Sequence, residues 1–274
     1  MMYRDFCLRV KLYSWKAKNM KRRKISKFPL WAGLLSASLL VGAVSCSSQP
    51  KYIEDERFRP WRIGAAISYH FPAFVYEAYG VNYSEDWTSL MLSYTNLTSG
   101  TRLNLDYMRD YAHNDYEGFA LPLHPLINYT PSQLGLGTKT LPEELYIYWR
   151  VSNSKIKYAT VVEVSNEIKA AMTRAYPHPS WRFKGQNCYQ TDFLFGLLPD
   201  GRAKLWLRGC DIYTYIGTYQ PSKSMPSPYA EEAENNPIPW DKVDKVWYDK
   251  KRDKMQTLAD VTKELAQERK TKTQ

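Results

Sequence analysis

Cysteine is scarce in this chain, with four in 274 residues, at positions 7, 46, 188 and 210. No two lie close in sequence and no histidine sits near them, so the paired ligand spacings of a structural zinc site are missing. Histidine is equally rare. His70, His113, His124 and His178 are scattered, and none stands in an HExxH pattern. His113-Asn-Asp115 has no neighbouring ligand to complete a metal site or orient a base. After residue 46 there is no GxSxG elbow, P-loop or dinucleotide glycine pattern. Glu143 and Glu144 are adjacent and project in different directions, which does not make an acid/base pair. An apolar run of membrane-spanning length is also missing. Leu30 to Val44 is 15 residues long, against the roughly 20 that a spanning helix needs. These absences leave no catalytic residue, metal or cofactor to name, and the chain reads as non-enzymatic.

Positive charge is plentiful but unevenly placed. Lys and Arg total 38 against 28 Asp and Glu, a net +10, which would ordinarily point to nucleic acid or an anionic surface. Ten of the basic residues and one acid, Asp5, lie within residues 1–45, leaving 28 basic against 27 acidic beyond them. The basicity belongs to the leader, and nucleic acid is not expected as a partner.

The leader has its own grammar. Met20-Lys-Arg-Arg-Lys24 is a positive n-region, Leu30 to Val44 suits a signal-peptide core, and Ala43-Val-Ser-Cys46 closes it with small residues and cysteine. The segment resembles the lipobox of bacterial lipoproteins, with Ala43 where leucine is usual. The resemblance implies cleavage before Cys46 and several acyl chains on its sulfur and new amino terminus. One chain anchors only marginally, since each buried methylene contributes about 0.8 kcal/mol; several make attachment effectively permanent. Initiation at Met20 gives a leader of 26 residues, so residues 1–19 are expected to be untranslated. Ser47, not aspartate, follows the cysteine, which by the lipoprotein sorting pattern implies the outer membrane facing the periplasm; the inner membrane's periplasmic face is the alternative. Residues 46–59 read as the lipidated cysteine and a polar tether.

Export agrees with the remaining cysteines. Cys188 and Cys210 are the only two left outside the leader and the lipobox, and in an oxidising compartment they should pair. Between them, Pro199-Asp-Gly201 separates two apolar runs, a hairpin signal that would set the cysteines opposite each other.

Residues 60–220 read as one β-rich domain. Trp61, Ile63, Ala65, Ile67 and Tyr69 alternate as in a half-buried strand. Phe74–Val81, Leu90–Tyr94 and Leu103–Tyr107 are further strands, and Leu121–Pro142, with four prolines and two glycines, is a long loop. Leu145–Val151 and Ile156–Val164 form a second hairpin across Ser152–Lys155. Ser165 caps a short helix that sets Ile168, Ala171, Met172 and Ala175 on one face. Pro221–Pro239 reads as a proline-rich linker, and residues 240–274 as a charged C-terminal helix whose first turns dock on the domain. The expected fold is mainly β, an antiparallel β-sandwich-like domain with one short helix and a helical tail; an α+β antiparallel sheet is the alternative.

Tyrosine is abundant: of 22 in the chain, all but Tyr3 and Tyr13 follow residue 46. Tyrosine presents large contact area at low entropic cost, but strand propensity explains most of those in strands. Tyr111, Tyr116 and Tyr129, assigned to loops, are therefore the expected partner-binding residues.

Leu141-Pro-Glu-Glu-Leu-Tyr-Ile-Tyr-Trp-Arg-Val-Ser152, Lys157-Tyr158, Phe195-Gly-Leu-Leu-Pro-Asp-Gly201 and Lys204-Leu-Trp-Leu-Arg-Gly209 are similar to a pattern in the Gram-negative lipoproteins grouped as domain of unknown function 2931. Trp61-Arg-Ile63 belongs to the same pattern. The resemblance covers roughly residues 60–215 and stops short of Pro221–Gln274. It implies fold and location, and a place beside secreted lipase effectors for some members, hence an immunity role. The expected function is a membrane-anchored, non-enzymatic protein-binding module of the cell envelope, with the bilayer held through acylated Cys46. The alternatives are a structural or assembly lipoprotein of the outer membrane and an envelope hydrolase.

Overall fold

The computed structural model describes residues 61–89, 92–93, 105–111, 115–123, 128–129, 140–152, 154–227 and 238–272. The leader, Cys46 and the tether lie outside the described residues, as do 124–127, 130–139 and 228–237. Two six-stranded sheets carry the fold.

The first sheet is built on β1 (Arg62–Ile67), β11 (Asp192–Leu197), β12 (Ala203–Gly209) and β13 (Ile212–Tyr219). The short strands β6 (Asn128–Tyr129) and β16 (Lys254–Thr257) close its edges, in the order β16-β13-β12-β11-β1-β6. The second sheet runs β14-β8-β7-β2-β3. Its strands are β2 (Ala73–Asn82), β3 (Trp87–Thr88), β7 (Glu144–Val151), β8 (Ile156–Glu163) and β14 (Lys223–Pro226), with β4 (Leu92–Ser93) also paired to β2. The protein is mainly β, as expected, although β1–β11 and β13–β16 are parallel pairs.

Burial explains the arrangement. β7 alternates without error, with Leu145, Ile147, Trp149 and Val151 buried and their neighbours partly exposed. Those four meet Val75 and Ala78 of β2 and, from the first sheet, Ile63, Ile67, Phe193, Phe195, Leu205 and Leu207, in one inter-sheet core. β11 behaves differently, for all six of its residues are buried. Phe193 and Phe195 enter the inter-sheet core while Leu194, with Leu198 just beyond the strand, faces a second cluster with Ala66, Trp206 and Tyr213. A strand covered on both faces is a near-continuous apolar run, which is how Phe193–Leu198 reads. β1 is likewise buried on both faces from Ile63 on, so it is more enclosed than its alternation suggests.

The second cluster is capped by residues that looked peripheral in sequence. Leu121 and Leu123 cover it, with Val243 of a short helix, α3 (Trp240–Val243). The tail is therefore not one helix on a linker. It supplies α3, β15 (Val246–Trp247, parallel to β5 at Leu121–Pro122), β16, and only then α4 (Leu258–Lys272). Val261 of α4 is fully buried in the inter-sheet core. Within the expected linker, Lys223–Pro226 is edge strand β14, paired with β8. The expected 121–142 loop contains β5 and β6.

Two local readings change. Leu103–Tyr107 was expected as a strand, but Leu105–Tyr111 is a helix, α1. The alternation of Leu103, Leu105 and Tyr107 competes with a three-residue spacing from Leu105 to Met108, and Met108 is the residue that burial selects. The Ser165 cap forms as expected, its hydroxyl accepting from the Ile168 amide at 3.4 Å, and Ile168, Ala171 and Met172 are buried on α2 (Asn166–Met172). That helix ends at Thr173, so Ala175 lies beyond it and is exposed.

Cys188 and Cys210 form a disulfide, Cα–Cα 5.7 Å. The hairpin turns at Pro199–Gly201, where Gly201 has φ 93° and a side chain would meet Tyr158. The cysteines are not a cross-strand pair, however. Cys188 lies on β10 (Asn187–Cys188), paired with β9 (Tyr176–Pro177), and Cys210 lies in the two-residue turn from β12 to β13. Cys210 and Asp211 have φ of 61° and 56°, the left-handed pair that a tight hairpin turn demands. Neither residue is glycine, so the turn carries strain that the disulfide helps to hold.

Two stability predictions follow. Replacing Cys188 and Cys210 by alanine should cost about 3 kcal/mol, the loop-closure value for a span of this size, read as a lowered urea midpoint; an unchanged midpoint would count against it. Asp253, 7% exposed, has an Oδ2 without a hydrogen-bond partner, and burial raises its pKa above the ordinary range. A raised carboxyl pKa gives stability that is fully present below the unfolded value and lost as pH rises through the folded value. Asp253→Asn should therefore raise Tm at neutral pH, with the gain fading as the pH falls into the acid range; a gain that is constant with pH would refute this.

Candidate binding surface

The outward side of the second sheet is built by the alternation that builds the core. On β7, Glu144, Tyr146, Tyr148 and Arg150 point away from the buried residues. On β2, Phe74 and Tyr79 do so, and the register slips between Val75 and Glu77. That bulge leaves Tyr76 outside the ladder, so that it adds to the outer side. The described helices pack elsewhere: α1 on Tyr116 and Ala120, α2 and α4 into the inter-sheet core, α3 over the first sheet.

The side chains on this face are ordered by one another. Tyr79 stacks on Tyr146 with centroids 5.1 Å apart and planes 9° apart, and lies 6.2 Å from Tyr148. The Tyr146 hydroxyl donates to Glu144 at 2.5 Å, and the Tyr83 hydroxyl donates to the same carboxylate at 2.7 Å. At the other end Arg150 lies 4.9 Å over the Phe74 ring and its Nε donates to the Tyr76 hydroxyl at 2.8 Å. Lys157 sits 5.0 Å over the Tyr76 ring. Such cation–π and stacked contacts are each modest, but together they hold partly exposed rings in fixed positions.

The phenols are kept neutral. Hydrogen bonding to the Glu144 carboxylate, then to Tyr83, pushes the Tyr146 pKa far above that of free tyrosine. Burial, reinforced by the Tyr148 hydroxyl, does the same for Tyr79. The Tyr146 hydroxyl therefore keeps its proton as the donor to Glu144.

Beside Tyr83 and Glu144 the face runs into an open groove of about 520 Å³, lined also by Glu143, Glu163, Val164, Ser165, Asn166, Glu167 and Lys169. Glu143 and Glu144 part company there. Glu143 accepts from the Ser84 hydroxyl and from the Tyr83 amide, at 3.0 Å, while Glu144 takes the two phenols. The Ser84 hydrogen bond lowers the Glu143 pKa, and the Ser165 hydroxyl lowers that of Glu167. The groove is thus an anionic end to an aromatic face. Among the described residues no group of three or more His, Cys, Asp or Glu could hold a metal ion, and no helix is long and apolar enough to cross a membrane.

The tyrosines expected to bind a partner fare differently. Tyr116 is fully buried and its hydroxyl donates to the Ala120 carbonyl at 2.8 Å, so it is an interior residue and not an offered one. Its local sequence looks like a loop because part of what it packs among, Tyr69 and Trp247, is distant in the chain. Tyr111 ends α1 and Tyr129 lies on β6; their side chains fall outside the described residues. Strand tyrosines, set aside because propensity explains them, supply the ordered outer face. The signal available in sequence was the side of β7 opposite Leu145, Ile147 and Trp149.

The class that fold and surface define is a two-sheet β protein with a partly exposed aromatic face. The family model described as protein of unknown function (DUF2931) matches residues 47–273, and the chain belongs to that family. The match extends beyond the resemblance seen in sequence, taking in the tail that the fold integrates. No curated protein and no solved structure matches the chain.

The phenol environment is testable by ultraviolet titration. Exposed tyrosines ionise near pH 10, and Tyr146→Phe should remove one phenol from the later-titrating set. Glu144→Gln should shift two phenols, Tyr146 and Tyr83, earlier, because their shared acceptor loses its charge. Loss of an early-titrating phenol in Tyr146→Phe would refute the assignment.

Proposed function

We propose that this protein is a lipid-anchored, non-enzymatic binding module of the cell envelope, held through Cys46 at the outer membrane and facing the periplasm, whose partner is a protein that docks on the outer face of the second sheet. The anchoring half rests on the n-region, the apolar core and Ala43-Val-Ser-Cys46. The binding half rests on one observation, the ordered, partly exposed row Phe74, Tyr76, Tyr79, Tyr146, Tyr148 and Arg150. Interfaces favour aromatic residues and arginine, and rings already fixed in position lose little entropy on docking. The acidic groove at its end suits a partner with a basic rim. A secreted lipase effector, expected from the family resemblance, is the first partner to test.

The test is affinity purification of the detergent-solubilised protein followed by mass spectrometry. A partner recovered with wild type should be lost with Tyr79→Ala/Tyr148→Ala, and Cys46→Ser should abolish palmitate labelling. Partners unchanged by the tyrosine substitutions would sink the binding half; a Cys46→Ser protein that still incorporates palmitate would sink the other.

A further inference from the structure

The connection between β9 and β10 reads Pro177-His-Pro-Ser-Trp-Arg-Phe-Lys-Gly-Gln-Asn187, and every residue from Trp181 to Asn187 is exposed. Trp181 is 81% exposed and Phe183 45%. Leaving rings of that size in water forgoes a large hydrophobic gain, so their placement calls for a reason.

The tip is built rather than loose. Trp181–Phe183 form a turn of 3-10 helix, closed by Phe183 N to Ser180 O at 3.0 Å and Gln186 N to Phe183 O at 3.0 Å. The His178 ring packs 4.7 Å from Phe183 and its Nδ1 accepts from the Ser180 amide. At the base, the β9–β10 pairing and the Cys188–Cys210 bond clamp both legs. Its charge is one-sided. From Ile168 to Thr191 there is no Asp or Glu. Arg174 in that stretch is engaged by Glu264 and Glu268, while Arg182 and Lys184 lie on the tip, Arg182 5.6 Å from the Trp181 ring.

Position adds the decisive point. β1 and β11 run parallel and begin at the same end of the first sheet, Arg62 beside Asp192, with the Arg62 amide donating to Thr191 O at 3.2 Å. The base of the tip, Cys188, lies four residues before Asp192, and the chain enters β1 at Trp61, fifteen residues after Cys46. Such a length spans at most about 50 Å when extended. The exposed aromatic and cationic tip therefore springs from the same end of the first sheet as the point where the chain enters β1.

We propose that this tip is a second, non-covalent membrane contact, seating Trp181 and Phe183 at the headgroup level of an anionic phospholipid bilayer with Arg182 and Lys184 against the phosphates. Tryptophan with flanking Lys and Arg is the chemistry of that interface, whereas the centre of a protein interface is poor in lysine and its anchors fill pockets. With two points of attachment the domain stands in a set orientation, where a lipid on a tether alone would leave it free to turn. The inference takes from the anchored reading only that the protein lies at a bilayer.

The test uses the full-length protein, extracted from membranes and reconstituted into phosphatidylethanolamine–phosphatidylglycerol vesicles with brominated acyl chains. Brominated lipid should quench tryptophan emission in wild type, and Trp181→Ala should lose most of that quenching while floating with the vesicles as before. Lys184→Glu, a surface change away from the disulfide, should reduce the quenching, as should high salt. Unchanged quenching in Trp181→Ala overturns the proposal, and so does unchanged quenching together with loss of a co-purifying protein, which would make the tip a protein contact. Palmitate labelling of wild type against Cys46→Ser reports on the lipid anchor separately, so failure of one is distinguishable from failure of the other.

Discussion

The two-sided burial of β11 is the constraint on which the rest of the structure depends. Phe193 and Phe195 require one apolar cover and Leu194 and Leu198 another. The second sheet supplies the first cover. Leu121, Leu123 and Val243 supply the other, so the C-terminal segment has to return to the first sheet. Arg62 holds Asp192 with two hydrogen bonds of 2.7 and 2.9 Å, and Arg208 approaches the same carboxylate at 3.6 Å, fastening β1, β11 and β12 at the end where the chain enters. Gln190 does similar work below them, its amide nitrogen donating to Ile212 O and its oxygen accepting from Thr214, which also accepts from Gln256 of β16. A buried polar network that is satisfied in this way fixes register where apolar contacts alone would permit slippage.

That arrangement sorts the surfaces. The first sheet is spent on packing, on both sides. The second sheet is covered on one side, and its other side carries rings held in place by stacking, by Arg150 and by Glu144. The groove beyond Tyr83 is anionic, while the 177–187 tip is cationic and aromatic. In the reading proposed above, these separate chemistries divide the labour, with a bilayer at one end of the domain and a protein partner on the outer sheet face.

Several elements were legible because their determinants are local. The β7–β8 hairpin follows from strict alternation around a polar turn, the Ser165 cap from one hydroxyl before an apolar face, and the Pro-Asp-Gly turn from its own backbone preferences. The disulfide pairing followed from elimination, but its geometry did not, because Cys210 sits in a second hairpin turn that the run to Tyr219 concealed. α1 was misread because the same few residues satisfy a period of two and a spacing of three, and only Met108's burial decides between them. The tail was misread for a related reason: parallel pairing of β16 with β13, and of β15 with β5, joins segments far apart in sequence and leaves no local signature.

Sequence by itself determined the predominantly β character, the pairing of Cys188 with Cys210 and the resemblance to the family, since each is written in residue type and spacing. Tertiary structure alone decided which tyrosines face outward, that Tyr116 is interior and that the last 35 residues complete the core. The physical reason is that side-chain exposure depends on what the other end of the chain covers, and no window along the sequence contains that contact.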